Sequence, residues 1–80
     1  MRLDKFLKVS RVIKRRTVAN EACDKGYVTA NDRPVKASYE VKVGDVLCVS
    51  FGNRSVKFRV LSLAETIGKA DAQSMYEIIQ

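Results

Sequence analysis

Arg2, Lys5, Lys8, Arg11, Lys14, Arg15 and Arg16 place seven cations in the first sixteen residues, with Asp4 the one acid among them. Groups of this kind recognise phosphate oxygens, arginine as a planar fork and lysine as a point charge. The chemistry open to this stretch is therefore binding of a polyanion. Bond making has little support. The chain has no histidine, which excludes Ser-His and Cys-His nucleophiles. Asp and Glu are scattered, and neither a GxxxxGK[ST] loop nor a GxGxxG turn occurs. No enzymatic activity and no cofactor are expected. Cys23 and Cys48 lack CxxC spacing, and zinc takes about four ligands, so no metal site is expected. Both thiols fall at apolar positions and are expected to be small buried side chains.

The chain has 80 residues and a net charge of +6, from fifteen Lys and Arg against nine Asp and Glu. Residues 17–80 hold eight of each, so the whole net charge arises in the first sixteen. A localised positive field concentrates polyanions and speeds their encounter. Nucleic acid is the favoured partner, with an anionic membrane surface as the competitor. A solvated structural face would intersperse both signs. No aromatic platform interleaves the basic residues, so phosphate contacts to a folded, double-helical RNA are expected rather than base stacking. No apolar run approaches the roughly 18 residues of a membrane span. A cytoplasmic, reduced protein without a membrane partner is expected.

Asp4 admits two readings. In a first helical turn its carboxylate is favoured by the helix dipole, by a few tenths of a kcal/mol. Alternatively it pairs with an arginine and sets the guanidinium plane for phosphate. Spacing alone leaves both open.

Positioning these groups requires helices. Leu3, Phe6 and Leu7 recur at helical spacing and Ser10 and Ile13 continue that side, while Asp4, Lys8 and Arg11 fall on the opposite side. Thr17 is a candidate N-cap for a second helix over Val18–Lys25, with Val18, Ala19, Ala22 and Cys23 on its buried face. Gly26 fits a left-handed C-terminal cap. Lys14, Arg15 and Arg16 then crowd the helix N-terminus, an anion site reinforced by the dipole. Beyond Gly26 the period becomes two. YVTA and RPVK flank the turn Asn31-Asp32, and Pro34 suits an edge strand. Gly44-Asp45 marks a turn, VLCVSF and VKFRVLSL read as the strongest strands, and FGNRS joins them. Ala72, Met75, Tyr76 and Ile79 predict a short C-terminal helix packed on the sheet or on the first helix.

RLDKFL, SR, KRRT, Gly26 with Tyr27-Val28, Asn31, Val35 and VKVGD together resemble the RNA-binding domain named after ribosomal protein S-four. The resemblance covers about Met1 to Phe51. Asp32 departs from it, since the family often has glycine there. The resemblance implies an α+β domain, two or three short helices packed on a small, strongly bent antiparallel sheet. Residues 1–64 would form the domain with its closing strands, and residues 65–80 a tail within the same unit. Arg2, Asp4 and Arg16 match the family's important positions, with Lys5, Lys8, Arg11, Arg15 and Thr17 around them.

Stand-alone members of this kind are implied to bind large ribosomal subunits that carry a stranded peptidyl-tRNA. They hold that tRNA in the peptidyl site, touching large-subunit rRNA, while an RqcH-type factor adds an alanine tail to the stalled chain. A monomer off the ribosome is expected. A heat-shock-type factor for large-subunit and tRNA recycling is the nearest alternative, and the end MYEIIQ without a long basic extension leans away from it. A protein-interaction module using the tail is the alternative from another class.

Overall fold

Leu3, Phe6 and Leu7 lie on one side of a first helix and are fully buried. In the computed structural model, which describes residues 1–63 and 74–79, this helix (α1) spans Leu3–Val9. It stops earlier than the apolar spacing predicts. Ser10 caps it, its hydroxyl donating to the Leu7 carbonyl at 3.3 Å. Arg11 then turns left-handed at φ 64, and its N–H donates to the Lys8 carbonyl at 3.0 Å. Ser10 and Ile13 are buried as expected, but Ile13 is held from a loop, its N–H reaching the Leu7 carbonyl at 3.1 Å.

The second helix (α2) spans Arg16–Asp24 and packs against α1. Its N-cap is Arg15, in extended conformation and without a side-chain cap bond. Thr17 is therefore a helical residue of the first turn, and the N-cap expectation is corrected. Ala19 and Cys23 are buried and Ala22 packs against the core. Val18 is 48% exposed, against expectation. The C-terminus closes as foreseen: Gly26 has φ 81, its N–H donates to Cys23 and that of Tyr27 to Ala22, at 3.0 and 2.9 Å. This paired arrangement satisfies the last carbonyls and favours glycine at the left-handed position.

Five antiparallel strands follow: β1 (Val28–Ala30), β2 (Arg33–Pro34), β3 (Val46–Phe51), β4 (Arg54–Val60) and β5 (Tyr76–Ile78), in spatial order β2-β1-β3-β4-β5. Asn31 and Asp32, at φ 53 and 70, make the tight turn between β1 and β2, whose central residues both need positive φ. Pro34 lies on the edge strand, where its missing N–H breaks no inner ladder. Asn31 also ties this hairpin to the Gly44-Asp45 turn: it accepts from the Val46 N–H at 3.0 Å and donates to Asp45 at 3.3 Å. Asp45 accepts in turn from the Tyr39 hydroxyl at 2.8 Å and the Lys42 N–H at 3.0 Å.

Leu47 and Val49 of β3 and Phe58 and Val60 of β4 are fully buried beneath the helices' apolar residues. Each such side chain contributes roughly 1.5–3 kcal/mol by leaving water. Cys23 is buried but Cys48, on the opposite face of β3, is only half-buried.

The C-terminal helix expectation is corrected over its second half: Ser74 and Met75 are in 3-10 conformation, but the chain then turns to strand. Tyr76–Ile78 form β5, with Val60 opposite Tyr76 and Phe58 opposite Ile78; Ala72 lies outside the described residues. Eight residues cannot sustain a helix alone, whereas the outer edge of β4 presents backbone groups that need partners. Met75 is fully buried, and the Tyr76 ring meets Phe58 at 5.2 Å between centroids. β4 also ends at Val60 rather than running on through LSL, because the Leu61 N–H turns to the Met75 carbonyl, 2.7 Å away.

Candidate nucleic-acid interface

Asp4 is the second residue of α1 and is 2% exposed. This corrects its expected place on the solvent side with Lys8 and Arg11. Its carboxylate gathers donors from both helices. Arg2 donates from Nε to Oδ1 at 3.2 Å and from Nη2 to Oδ2 at 3.4 Å. Arg16 lies with Nη2 3.4 Å from Oδ1 and Nε 3.4 Å from Oδ2. Asn20 donates to Oδ2 at 3.3 Å, and the Lys5 N–H to Oδ1 at 2.8 Å. Asp4 therefore both sits in the first turn of α1 and pairs with two arginines.

The charge of Asp4 is maintained against its surroundings. Burial pushes its pKa up, but the hydrogen bonds from Asn20, Arg2, Arg16 and the Lys5 N–H outweigh this and hold it below the ordinary aspartate value. A single carboxylate between two guanidiniums cancels their mutual repulsion and leaves one net positive charge. The side chains of Arg2 and Arg16 remain 51% and 46% exposed. A guanidinium has five N–H donors, so each arginine keeps donors beyond those aimed at Asp4.

Local structure delivers these groups. Arg2 is anchored by an antiparallel bridge to Glu40, with the Leu3 N–H on the Tyr39 carbonyl at 2.8 Å and the Val41 N–H on the Met1 carbonyl at 2.9 Å. The Met1 amine also pairs with Glu40. Arg16 opens α2, whose N-cap residue Arg15 makes no side-chain cap bond to the first-turn N–H groups. An open pocket of about 390 Å³ lies here, lined by Asp4, Arg16, Thr17, Asn20 and Glu21.

The structure thus brings Arg2, Asp4, Arg16 and Thr17 together, with the Lys5 backbone. Lys8, Arg11, Lys14 and Arg15 are exposed along the end of α1 and the link to α2, outside this cluster. Asn20 was not foreseen; its signal is a polar residue one helical turn after Arg16, a spacing that places both on one face. Tyr27 and Phe51, far apart in sequence, line a second groove of about 250 Å³ beside α2. Among the described residues no cluster of His, Cys, Asp and Glu could hold a metal ion, and no helix is long and apolar enough to cross a membrane.

A helix pair that locks two arginines on a shared aspartate, laid on a small antiparallel sheet, defines a class of module. The chain belongs to the S4 domain family, whose sequence profile matches residues 1–47. Among its relatives is the RQC P-site tRNA stabilizing factor of Bacillus subtilis, 51% identical over 80 residues that cover 100% of this chain and 93% of that protein. The protein of the same name in Streptococcus pneumoniae is 51% identical over 79 residues, 99% of this chain and 90% of that one. The trimeric structure of Vibrio cholerae Heat Shock Protein 15 superposes with a TM-score of 0.91 at 26% identity, covering 99% of this chain and 81% of that one.

Proposed function

We propose that this protein is a non-catalytic RNA-binding factor of ribosome-associated quality control. It binds obstructed large ribosomal subunits, contacts large-subunit rRNA and stabilises the peptidyl-tRNA in the P site. The relatives that carry the tRNA-stabilising name align over nearly the full chain, and the observation that carries the mechanism is the shared grip of Asp4 on Arg2 and Arg16. Two guanidiniums fixed in plane meet phosphates of a folded RNA bidentately, while Lys8, Arg11, Lys14 and Arg15 supply the surrounding field. On this reading the factor works in the cytoplasm on the ribosome, is a monomer off it, and holds the tRNA while an RqcH-type factor extends the stalled chain with alanine.

The test is sedimentation of Arg2→Ala/Arg16→Ala with large subunits bearing peptidyl-tRNA. The double variant is expected to remain folded and to leave the subunit fraction; full co-sedimentation would sink the clamp. The salt response gives an independent check. Log affinity should fall with log salt by roughly 0.7–0.9 per phosphate neutralised, and the double variant should show a shallower slope. The likeness to Heat Shock Protein 15 keeps one second reading in view, general recycling of large subunits and tRNA. Cells lacking this protein should then retain normal alanine tails on stalled chains, whereas the first reading expects their loss.

A further inference from the structure

We propose that the groove between α2 and the β3–β4 turn seats a single unpaired nucleobase against Tyr27 and Phe51. This rests on the RNA-binding reading above. The groove holds about 250 Å³, and Ile13, Val18, Tyr27, Phe51 and Lys25 are among its lining. Three of these are large apolar side chains left about half exposed: Val18 at 48%, Tyr27 at 50% and Phe51 at 45%. Scattered exposed hydrophobics are ordinary, but three gathered around one concavity mark a binding surface.

The groove is built into the framework. The Tyr27 N–H donates to the Ala22 carbonyl at 2.9 Å, and its own carbonyl accepts from Ser50 at 2.8 Å. Tyr27 is thereby pinned both to the end of α2 and to β3, one residue before Phe51. Phe51 in turn pairs with Arg54 at the close of the β3–β4 hairpin.

Charge and continuity select the occupant. Glu21 lines both this groove and the pocket of Asp4, Arg16 and Thr17, so the two hollows share a wall. Ile13 lines the groove and leads directly into Lys14, Arg15 and Arg16. A ligand that fills an apolar, aromatic hollow beside a concentrated positive field must join a flat apolar group to an anionic backbone. A nucleotide strand does this at every residue. Stacking on aromatic rings tolerates any base, because every base has a π-face. A protein segment would need an apolar anchor followed by its own acids, and it is the alternative outcome of the test.

The experiment uses the full chain and two RNA stem-loops, identical except at one unpaired position. One carries 2-aminopurine there and the other an abasic site, so phosphates and shape are matched. The wild-type protein is expected to bind the 2-aminopurine stem-loop roughly 5- to 150-fold more tightly, the range set by base–aromatic stacking, and to quench its emission. Tyr27→Ala and Phe51→Ala should erase the preference and the quenching while leaving affinity for the abasic stem-loop unchanged. Tyr27→Phe should keep both. Phe51→Leu retains apolar bulk without a ring and should lose both, which separates stacking from simple loss of fold; thermal melts matched to wild type confirm folding. Equal wild-type affinity for the two stem-loops overturns the base seat alone. Failure to bind either overturns the RNA reading and the base seat with it. If Phe51→Ala keeps the stem-loop preference yet leaves the large subunit, the groove belongs to a protein and the proposal is wrong.

Discussion

Arg16 reaches back from α2 to the Asp4 carboxylate of α1, with both Nε and Nη2 3.4 Å from its oxygens. These contacts are longer than the 2.7–2.9 Å of tight charge-assisted bonds. They hold the direction of a guanidinium that is still 46% exposed, which on the proposed reading leaves it able to meet a phosphate.

Asp4→Asn tests that division of labour. The amide keeps an acceptor for the Lys5 N–H but turns an N–H₂ group toward the arginines or Asn20. Stability is expected to fall by roughly 1.5–3 kcal/mol, the scale of a hydrogen bond to a charged group. At about 4–8 °C per kcal/mol for a domain this small, a thermal melt resolves the change. Large-subunit binding should weaken beyond what the melt accounts for. A variant that melts lower yet sediments fully with subunits would reduce Asp4 to a purely structural residue.

Acid should weaken the fold through two aspartates. Burial pushes Asp45 up, but the Tyr39 hydroxyl, the Lys42 N–H, Asn31 and the Lys42 charge hold it below its ordinary value, as the donors around Asp4 do there. A carboxyl depressed in the folded state contributes stability that is complete above the unfolded value, about 3.9. That stability drains as pH falls through the lower folded value. Tyr39 acts in the opposite sense: donation to Asp45, then burial and the Asp45 charge, push it up. Its contribution is complete below about 10 and is lost as pH rises through the folded value. Urea midpoints should be flat from about pH 5 to 9 as far as these groups are concerned, and fall on both sides. Tyr39→Phe should make the alkaline arm shallower, leaving the part due to the raised thiol of Cys23; an unchanged alkaline arm in that variant would remove Tyr39 from the account.

Met75 sits in the tail but is fully buried. Met75→Ala should therefore cost about 2–5 kcal/mol, the range for large core truncations, measured by chemical denaturation. A loss below about 0.5 kcal/mol would mean that the tail closes the sheet without stabilising it.

Cys23 should be chemically silent in the native protein. Burial first, then the charges of Asp4 and Asp24, push its thiol up to about 11, and the thiolate is the reactive form. Mass spectrometry after iodoacetamide treatment at pH 7.5 should find Cys23 unmodified until denaturant is added. Modification of Cys23 in the folded protein at a rate typical of free thiols would contradict its packing between α2 and the sheet.

Turns and the C-terminal cap of α2 are the most legible features. Gly26 closes α2 and Asn31-Asp32 turns the hairpin because positive φ is a local demand that few residue types meet. The β3–β4 alternation was legible for the same reason, since period two is written within each strand. The misreadings arose where distant residues decide. Met75, Tyr76 and Ile79 fit a helical stripe, but the open edge of β4 captured Tyr76–Ile78 as a strand. Asp4 shares a helical side with Lys8 and Arg11, yet donors from Arg16 and Asn20 on another helix drew it inward. Val18 looked like core because it is apolar, but α2 presents it to a groove.

Arg11 holds a left-handed backbone at φ 64, a conformation that burdens a residue with a Cβ by roughly 1–2 kcal/mol and leaves glycine untroubled. The corner between the helices is thus a spring set under light load. Glycine at this position would slacken it, relieving the strain of the folded chain while enlarging the unfolded ensemble. With the corner freed, α1 and α2, each bearing part of the arginine grip, would lose some of their mutual alignment. The cation and the bend share one residue, so charge and geometry at this corner are inherited together, and no substitution can alter the first while leaving the second alone unless it too tolerates the left-handed turn.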